Sequence, residues 1–552
     1  MQPTTTPVAP ATAPAVPTAL TASAAAAPAP PRPVPAAPQP FTGLTPPMRL
    51  VFIGLLLGMF VAGISQTIVS PALPVMVAEL GGIDSYSWLA TAAMLTAAVV
   101  VPVVGKLSDL YGRRPFYLGG LVVFMAGAAL AGAAPSFWWL VAARAVQGLG
   151  MGALMTLSQT IIGDIVPPRQ RGRYQGWVGA VFGVTSVAGP LAGGWLTDHV
   201  GWRWVFYAGL PFGIAALVFV ARNLHLPHTR RRVRIDVAGI VTLTLALVAL
   251  LLAASWGGTT YAWSSPVLLG LIGAGAVLLT AFVLVEQRAE EPVLPLRLFR
   301  SSVFTLANVA SLTIAMAMFG VVFYIPVYAQ GVLGVDATQS GAILVPMSVT
   351  MIGVGIVVGL LISRYGHYKR YVVGGTLLML VGFGLLTQTG YGSSPLQLTA
   401  ATVVIGLGIG GAMQTFTLVV QNVVGRDDLG VATASVQFFR NVGATVGIAL
   451  LGAVMTARLG PAIAERLPAG GDAPTDLGAE SVLDPTTLAG LPAGAEEVVR
   501  RALADALSGV FLAAVPIVVV AIVASVLLRA IPLRDTLHVS PAPAEEGVAA
   551  RR

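Results

Sequence analysis

The stretch GKLSDLYGRRP occupies residues 105–115, between two long apolar runs of the chain. A second stretch, GLLISRYGH at residues 359–367, repeats its glycine, leucine, tyrosine and glycine at the same spacing, with Ser363 in place of Asp109. A turn that returns about half a chain later in an apolar sequence is typical of a duplicated bundle of membrane helices. The repeat therefore predicts two related halves whose corresponding turns lie on the same side of a membrane.

The composition of the chain restricts the class of protein. Of its 552 residues, 56% are hydrophobic and 10% are charged, and the mean hydropathy of +0.83 is far too high for a water-soluble domain. Because the sequence has no cysteine, disulfides, thiol catalysis and cysteine-based metal sites are excluded. A helix needs about 20 apolar residues to cross a bilayer, and such runs occur repeatedly. These properties predict an all-α integral membrane protein.

Fourteen apolar segments predict fourteen transmembrane helices. Arginine and lysine concentrate in alternate connections, which the positive-inside rule assigns to the cytoplasm, so both termini are predicted to be cytoplasmic. The net charge of +8 therefore reflects loops that face anionic membrane lipids, and we expect no nucleic-acid partner. The predicted spans lie near residues 49–78, 87–108, 115–133, 137–163, 172–197, 203–222, 236–254, 266–285, 301–330, 339–363, 371–388, 396–422, 430–456 and 507–529.

The turns and the spans together predict five regions. The first is rich in proline and alanine with almost no charge, which is typical of a disordered tail. A long outer loop at residues 457–506 is expected to carry a short amphipathic helix near residues 496–501. In chain order the regions are a disordered cytoplasmic tail (1–47), a six-helix bundle (48–222), an inserted helix pair with flanking loops (223–300), a second six-helix bundle (301–530) and a C-terminal tail (531–552).

Residues 105–115 resemble the loop motif between the second and third helices of Major Facilitator Superfamily transporters. The arrangement of six, two and six helices is similar to that of the fourteen-helix drug:H+ antiporter branch of this family. The resemblance implies the Major Facilitator fold and secondary active transport by alternating access, with the substrate bound near the membrane midplane between the halves. It also implies that a proton gradient supplies the energy, so no cofactor is expected.

An inner gate is the first site that the resemblance implies, and an ordinary positively charged cytoplasmic loop is the alternative. Asp109 lies at the inner end of the second helix, where its carboxylate can dock on the positive N-terminus of another helix. In the family this partner is a helix of the second half, here the one starting near Gly430, and the loop arginines contact Asp164. The implied gate comprises Gly105, Asp109, Gly112, Arg113, Arg114 and Asp164.

Two further motifs resemble those of the family. Arg144 and Gln147 match its fourth-helix motif, which implies a role in proton coupling. Arg144 lies about two helical turns below the outer interface, where a charge costs at least ~3 kcal/mol, so it either faces a cavity or partner or snorkels outward. On the fifth helix, the residues that match the exporter motif of the family are Gly189, Pro190, Gly193 and Gly194. Tight helix packing alone is the alternative explanation of these residues.

The first helix departs from the pattern of the branch, because Ser65 occupies the position of an aspartate that is a favoured proton or cation site. A serine does not titrate near neutral pH. No predicted span carries a carboxylate near its middle, whereas Arg144 and Arg440 lie deep. We therefore hypothesise a neutral or anionic cargo; alternatively, backbone carbonyls and helix ends neutralise both arginines. The candidate substrate cavity comprises Ser65, Gln66, Gln437, Arg440 and Asn441.

The sequence thus predicts a secondary active exporter that moves a hydrophobic small molecule out of the cell, through proton-coupled multidrug or metabolite efflux. A lipid or anionic-metabolite exporter with altered coupling, and a non-transporting membrane receptor or scaffold, are the alternatives. An enzyme is not expected, because the sequence has no catalytic or metal-binding constellation of residues. We expect a multi-pass monomer in a bacterial inner (plasma) membrane.

Overall fold

The computed structural model describes residues 43–80, 88–225, 236–257, 261–335, 337–466 and 495–533. The predicted tail over residues 1–47 lies almost wholly outside these ranges, as do the arginine-rich residues 226–235 and most of the C-terminal tail. The middle of the predicted outer loop, residues 467–494, is also outside them. The described residues are mainly helical, which confirms the predicted all-α class.

Within these ranges the chain forms sixteen α-helices and three short 3-10 helices. The 3-10 helices are Ser70–Ala72, Leu296–Arg300 and Arg426–Asp428. The α-helices are α1 (Pro46–Thr67), α2 (Leu73–Leu80), α3 (Trp88–Tyr111), α4 (Arg113–Gly132), α5 (Phe137–Ile165), α6 (Pro168–His199), α7 (Trp204–Tyr207), α8 (Leu210–Asn223), α9 (Val237–Trp256), α10 (Pro266–Glu286), α11 (Ser302–Gly331), α12 (Ala337–Tyr365), α13 (Lys369–Leu386), α14 (Pro395–Val423), α15 (Leu429–Arg466) and α16 (Ala495–Leu527).

Fourteen helical units of the described chain are long and apolar enough to cross a membrane, which confirms the predicted number. The first of them departs from its predicted bounds, because α1 ends at Thr67 instead of continuing to residue 78. Pro71 has no amide hydrogen to donate to the Thr67 carbonyl, and its ring obstructs a further α-helical turn. The chain therefore passes through a 3-10 turn into the short helix α2.

Each half of the chain packs around one buried central helix. In the first half α5 packs against α3 and α4, and in the second half α14 packs against α12 and α13. A methyl group on Gly150 of α5 would lie 2.6 Å from the Phe124 Cα, and one on Gly408 of α14 would lie 2.5 Å from the Gly375 carbonyl oxygen. Gly150 and Gly408 each end an identical Gly-Leu-Gly stretch, at residues 148–150 and 406–408, so the two halves use the same close glycine packing.

The inserted pair, α9 and α10, covers a seam where the two halves meet. α9 packs against α3 from the first half and against α15 from the second. Leu243, Leu247 and Leu251 of α9 share an apolar cluster with Ala98 of α3 and Val431 of α15. α10 packs on α9 and presents most of its own surface outward. A helix pair that belongs to neither core therefore bridges the halves.

α15 and α16 are longer than predicted, because both extend into the predicted outer loop. α15 runs to Arg466, and α16 begins at Ala495. The prediction of a separate surface helix at residues 496–501 is wrong, since these residues form the first turns of α16. No glycine or proline interrupts this part of the helix, and Val499 is buried in the core of the second half.

Gly150→Ala tests the close packing of α5 on α4. We expect the added methyl group to lower the thermal unfolding temperature of the purified protein, because overpacking of this kind costs about 1–3 kcal/mol. Gly119→Ala on α4 is the matched control, since nothing lies within 4 Å of its added methyl group. Alanine also favours a helix more than glycine does, so the control should be neutral or slightly stabilising. Equal unfolding temperatures for the two variants would contradict the packing described above.

Candidate functional site

Asp109 joins the two halves at the C-terminal end of α3. The arginine and lysine pattern predicts that this side of the bundle faces the cytoplasm, and it is called the inner side below. Its Oδ1 accepts a hydrogen bond from the Gly430 amide at 3.0 Å, and its Oδ2 accepts one from the Val431 amide at 2.9 Å. Both amides lie in the first turn of α15, where helix amides have no acceptor within the helix. The carboxylate also lies at the positive end of the helix dipole. One contact therefore satisfies two amides and stabilises a buried charge.

Arg113, the first residue of α4, neutralises the Asp109 carboxylate. Its Nη1 forms an ion pair with Asp109, and its Nε donates to Asp164 Oδ2 at 2.9 Å. The three side chains are at most 8% exposed, so water screens this network little. The resemblance implied a contact between Arg114 and Asp164 as well. Arg114 instead donates to the Ala221 carbonyl at 2.5 Å and ties α4 to α8.

Three glycines allow this part of the structure to close. A methyl group on Gly430 would lie 2.6 Å from Asp109 Oδ1, and one on Gly105 would lie 3.1 Å from the Gly430 carbonyl oxygen. α3 and α15 therefore approach this closely only because both positions lack a side chain. Gly112 has a φ of +98°, which residues with a side chain rarely adopt, and it turns the chain between α3 and α4.

A second contact, which the sequence analysis missed, closes the inner side between α6 and α12. A methyl group on Gly172 would lie 2.6 Å from the Gly359 carbonyl oxygen, so the two backbones pack directly. One turn later on α12, Ser363 Oγ accepts a hydrogen bond from the Arg173 amide at 3.1 Å. Gly359 and Ser363 occupy the repeat positions of the glycine and the aspartate in residues 105–115. The degenerate repeat was therefore the signal that could have found this contact.

A third layer, also missed, lies between α5 and α14. Gln421 Nε2 donates to the Gln159 carbonyl at 3.1 Å and to Thr433 Oγ1 at 3.0 Å. Arg171, near the start of α6, donates from Nη1 to the Gln421 carbonyl at 3.4 Å and from Nε to the Val166 carbonyl at 2.8 Å. These groups are buried. Three layers of contacts between the halves thus close the inner side of the molecule.

The Arg144 side chain is buried among helices of the first half, so the alternative that it snorkels to the membrane interface is wrong. The residue is 3% exposed, and its Nε donates to the Leu89 carbonyl at 3.0 Å. Its Nη1 donates to Gln147 Oε1 at 2.7 Å and to Ser65 Oγ at 3.4 Å. Neutral oxygens from α1, α3 and α5 therefore surround the guanidinium. Ser65, the residue that departs from the pattern of the branch, faces this guanidinium directly.

Arg440 is a second buried arginine, and it lies on α15. The residue is 4% exposed, and its Nη2 donates to Thr417 Oγ1 at 3.1 Å and to the Met413 carbonyl, both on α14. Its partners are neutral oxygens, like those of Arg144. Backbone carbonyls thus solvate part of the charge of Arg144 and of Arg440. This agrees with the alternative in which such carbonyls offset the charge of both arginines.

The residues of the predicted substrate cavity fall into two clusters, one in each half. Ser65 and Gln66 lie on α1, whereas Gln437, Arg440 and Asn441 lie on α15. Within the second cluster, Gln437 Nε2 donates to Asn441 Oδ1 at 3.1 Å. No hydrogen bond between described residues joins one cluster to the other. A common cavity lined by the five residues therefore stays a prediction.

The glycines of the exporter motif pack α6 on α1. A methyl group on Gly189 would lie 2.8 Å from the Thr67 Cβ, and Gly193 approaches the end of α1 as closely. Pro190 lies between them inside α6 and contributes no amide to the helix. An added methyl group on Gly194 would have its nearest neighbour at 4.0 Å. Tight packing therefore accounts for two of the four motif residues, and Gly194 makes no such contact.

Residues 55–448 match the family profile of the Major Facilitator Superfamily. The chain belongs to this superfamily. The match extends from α1 into α15 and includes every residue of the three layers that close the inner side. It confirms the fold and the family that the repeated turn indicated. The protein is therefore a multi-pass membrane transporter and not an enzyme.

Two relatives from Bacillus subtilis (strain 168) are similar over most of the chain. Multidrug transporter protein MdtP is 42% identical over 418 residues, covering 76% of this chain and 77% of the relative. Multidrug resistance protein 3 is 34% identical over 408 residues, covering 74% and 80%. Among solved structures, the human organic anion transporter MFSD10 superposes with a TM-score of 0.58 at 16% identity, over 86% of this chain and 100% of that one. At this identity the superposition shows the fold alone.

Asp109→Asn tests whether the contact with α15 keeps the inner side closed. The amide keeps the shape of the side chain but loses its charge, and hydrogen bonds to a charged group contribute about 1.5–3 kcal/mol. We expect the population open on the inner side to rise by roughly tenfold or more. A single cysteine placed at Gln159, which is 2% exposed in the closed layer, reports opening through its labelling by a membrane-impermeant thiol reagent in inside-out vesicles.

Gly430→Ala should open the inner side in the same assay, because its methyl group would displace the Asp109 carboxylate. Gly425→Ala is the matched control just before α15, since nothing lies within 4 Å of its added methyl group. Labelling of Gln159→Cys at the same rate in the Asp109→Asn, Gly430→Ala and unaltered backgrounds would show that this contact does not hold the gate.

Proposed function

We propose that this transporter exports hydrophobic small molecules from the cytoplasm by alternating access, driven by the proton gradient. The similarity to Multidrug transporter protein MdtP, over about three quarters of both chains, is the observation that carries the proposal. The contacts on the inner side support the mechanism, because helix-end amides and hydroxyls can part and re-form without unfolding a helix. Such a cycle needs no cofactor.

Proton coupling belongs, in this proposal, to Arg144 and Gln147 on α5, with Ser65 on α1 as their neighbour. Arg144 has no carboxylate partner among the described residues, and neutral oxygens hold its guanidinium. A buried charge without a counterion is costly, so an anionic group that binds beside Arg144, and that gains or loses a proton there, would alter the free energy of the guanidinium strongly. The two sides of the membrane differ in proton concentration, and this is how the gradient would bias the cycle.

One observation favours a second candidate, the export of anionic cargo. Arg144 and Arg440 are both buried, and both hydrogen-bond to neutral oxygens. A lipophilic cation between the halves would meet two positive charges, whereas an anion would offset the cost of their desolvation. Weak acids and anionic lipids fit this arrangement better than quaternary ammonium compounds do.

The same proposal places the transporter in a bacterial inner (plasma) membrane as a monomer. The bacterial relatives support this membrane. Both termini lie in the cytoplasm in this orientation, because Lys106, Arg113 and Arg114 mark the inner ends of α3 and α4. Membrane lipids then contact the apolar helix faces that point away from the bundle. Among the fourteen described spans, α10 has the smallest buried share.

Inside-out membrane vesicles test the export of a hydrophobic dye. When respiration acidifies the vesicle interior, vesicles with the transporter should accumulate the dye, and a protonophore should abolish the accumulation. Arg144→Gln should reduce the rate at least about tenfold, because it removes the buried charge assigned to coupling. Arg203→Gln, on an exposed outer arginine, is the matched control. No accumulation of any cationic, neutral or anionic compound would instead support the receptor or scaffold alternative.

Ser65→Asp tests whether position 65 sets coupling and cargo charge. A carboxylate there would lie beside the Arg144 guanidinium and lower the net positive charge of the site. We expect transport to depend more steeply on the proton gradient, and the ratio of cationic to anionic dye transport to rise about fivefold or more, equivalent to about 1 kcal/mol. Ser65→Asn supplies a similar shape without charge. If both variants behave alike, the charge at position 65 determines neither property.

A further inference from the structure

The segment that leaves the inserted pair folds back against the inner gate. Glu286, the last residue of α10, is 4% exposed, and its Oε1 accepts hydrogen bonds from the Val293 amide at 3.0 Å and the Leu294 amide at 3.2 Å. Val293 and Leu294 are buried in the apolar cluster that contains α9 and Val431 of α15. The segment, residues 286–300, is therefore fixed at its centre and does not hang as a free loop.

One side of this segment is bound to the first half. Glu291 Oε2 lies 2.5 Å from Lys106 Nζ on α3, and the two side chains are 26% and 11% exposed. Lys106 lies one helical turn before Asp109, the residue that holds α15. The ion pair thus binds the segment to α3 one helical turn from the Asp109 contact.

The other side is bound to the second half. Arg297 Nη2 donates to both carboxylate oxygens of Asp428, at 2.9 and 3.0 Å. Asp428 ends the 3-10 helix that leads directly into α15, two residues before Gly430. Two ion pairs from one short segment therefore bind the two helices that the Asp109 contact joins.

We propose that residues 286–300 act as a gate strap that favours the closed inner side, with Glu291 and Arg297 as its positioning residues. When the inner ends of α3 and α15 separate, Lys106 and Asp428 move apart. The strap has little slack, because Val293 and Leu294 are buried between its two ion pairs and Leu296–Arg300 is helical. Opening must therefore break an ion pair or pull an apolar side chain from its cluster. The proposal rests on the alternating access proposed above.

Each pair should bias the equilibrium without locking it. Ion pairs at this degree of exposure shift an equilibrium by about two- to fivefold each. The strap would then add its effect to that of the Asp109 contact, and it would lower the population of the inward-open state without abolishing that state. The inserted pair would serve transport through this strap, although neither half needs it for its core.

Pulsed electron spin resonance can measure the inner opening directly. The chain has no cysteine, so Gly119→Cys and Gly374→Cys give one spin label on α4 and one on α13, each near the inner end of its helix. Nothing lies within 4 Å of an added Cβ at either position. The ratio of long to short label distances reports the open and closed populations in the full-length protein.

Glu291→Gln and Arg297→Gln should each raise this ratio about two- to fivefold, and together by roughly the product of the two effects. Glu290→Gln and Arg300→Gln are matched controls from the same segment, since neither residue forms an ion pair with a described residue. Lys106→Gln should add nothing to Glu291→Gln, because each removes the same pair. Strap variants that match their controls would overturn the proposal.

Asp109→Asn in the same labelled chain distinguishes failure of the strap from failure of alternating access. If it lengthens the distance while the strap variants do not, the strap alone is wrong. If no variant, pH or dye produces a second distance, alternating access is wrong, and the strap with it.

Discussion

The Asp109 carboxylate on the first turn of α15 is the contact on which the closed inner side depends. A carboxylate at a membrane-helix end is stable there only if its charge and its hydrogen bonds are satisfied together. Two amides of α15 and the guanidinium of Arg113 supply this, and Asp164 fixes the guanidinium in turn. The ends of four helices from both halves must therefore meet at one point. The glycine at residue 430 leaves the space that this meeting requires.

The two inner seams use the same backbone geometry with different chemistry. Between α3 and α15 a charged oxygen binds helix amides, and between α6 and α12 the hydroxyl of Ser363 binds one amide at 3.1 Å. Hydrogen bonds to charged groups contribute about 1.5–3 kcal/mol, and neutral ones about 0.5–1.5 kcal/mol. Duplication thus preserved the close glycine approach while the strength of the two polar contacts diverged. The stronger seam is also the one that the inserted pair covers.

Hydropathy was enough to predict the helical spans, and the family resemblance supplied the central contact. Bilayer thickness sets the length of each apolar run, so the fourteen spans follow from the sequence. The partner of Asp109, the helix near Gly430, was implied by the resemblance of residues 105–115 to the family motif. The partners of Arg114, Arg171 and Gln421 could not be predicted, because they depend on how separate helices dock. The length of α16 was missed for another reason: its charged first turns look like a surface segment until Val499 is seen in the core.

The position of the inserted pair makes the two flanks of the transporter unequal. α9 lies across α3 and α15, whereas the corresponding seam between α6 and α12 has no such helix over it in the described chain. A molecule dissolved in the inner leaflet would find the first flank screened by α9 and α10. In the alternating access proposed above, cargo that enters from the bilayer would therefore pass the second flank, at the contact of Ser363 with the Arg173 amide and of Gly172 with Gly359.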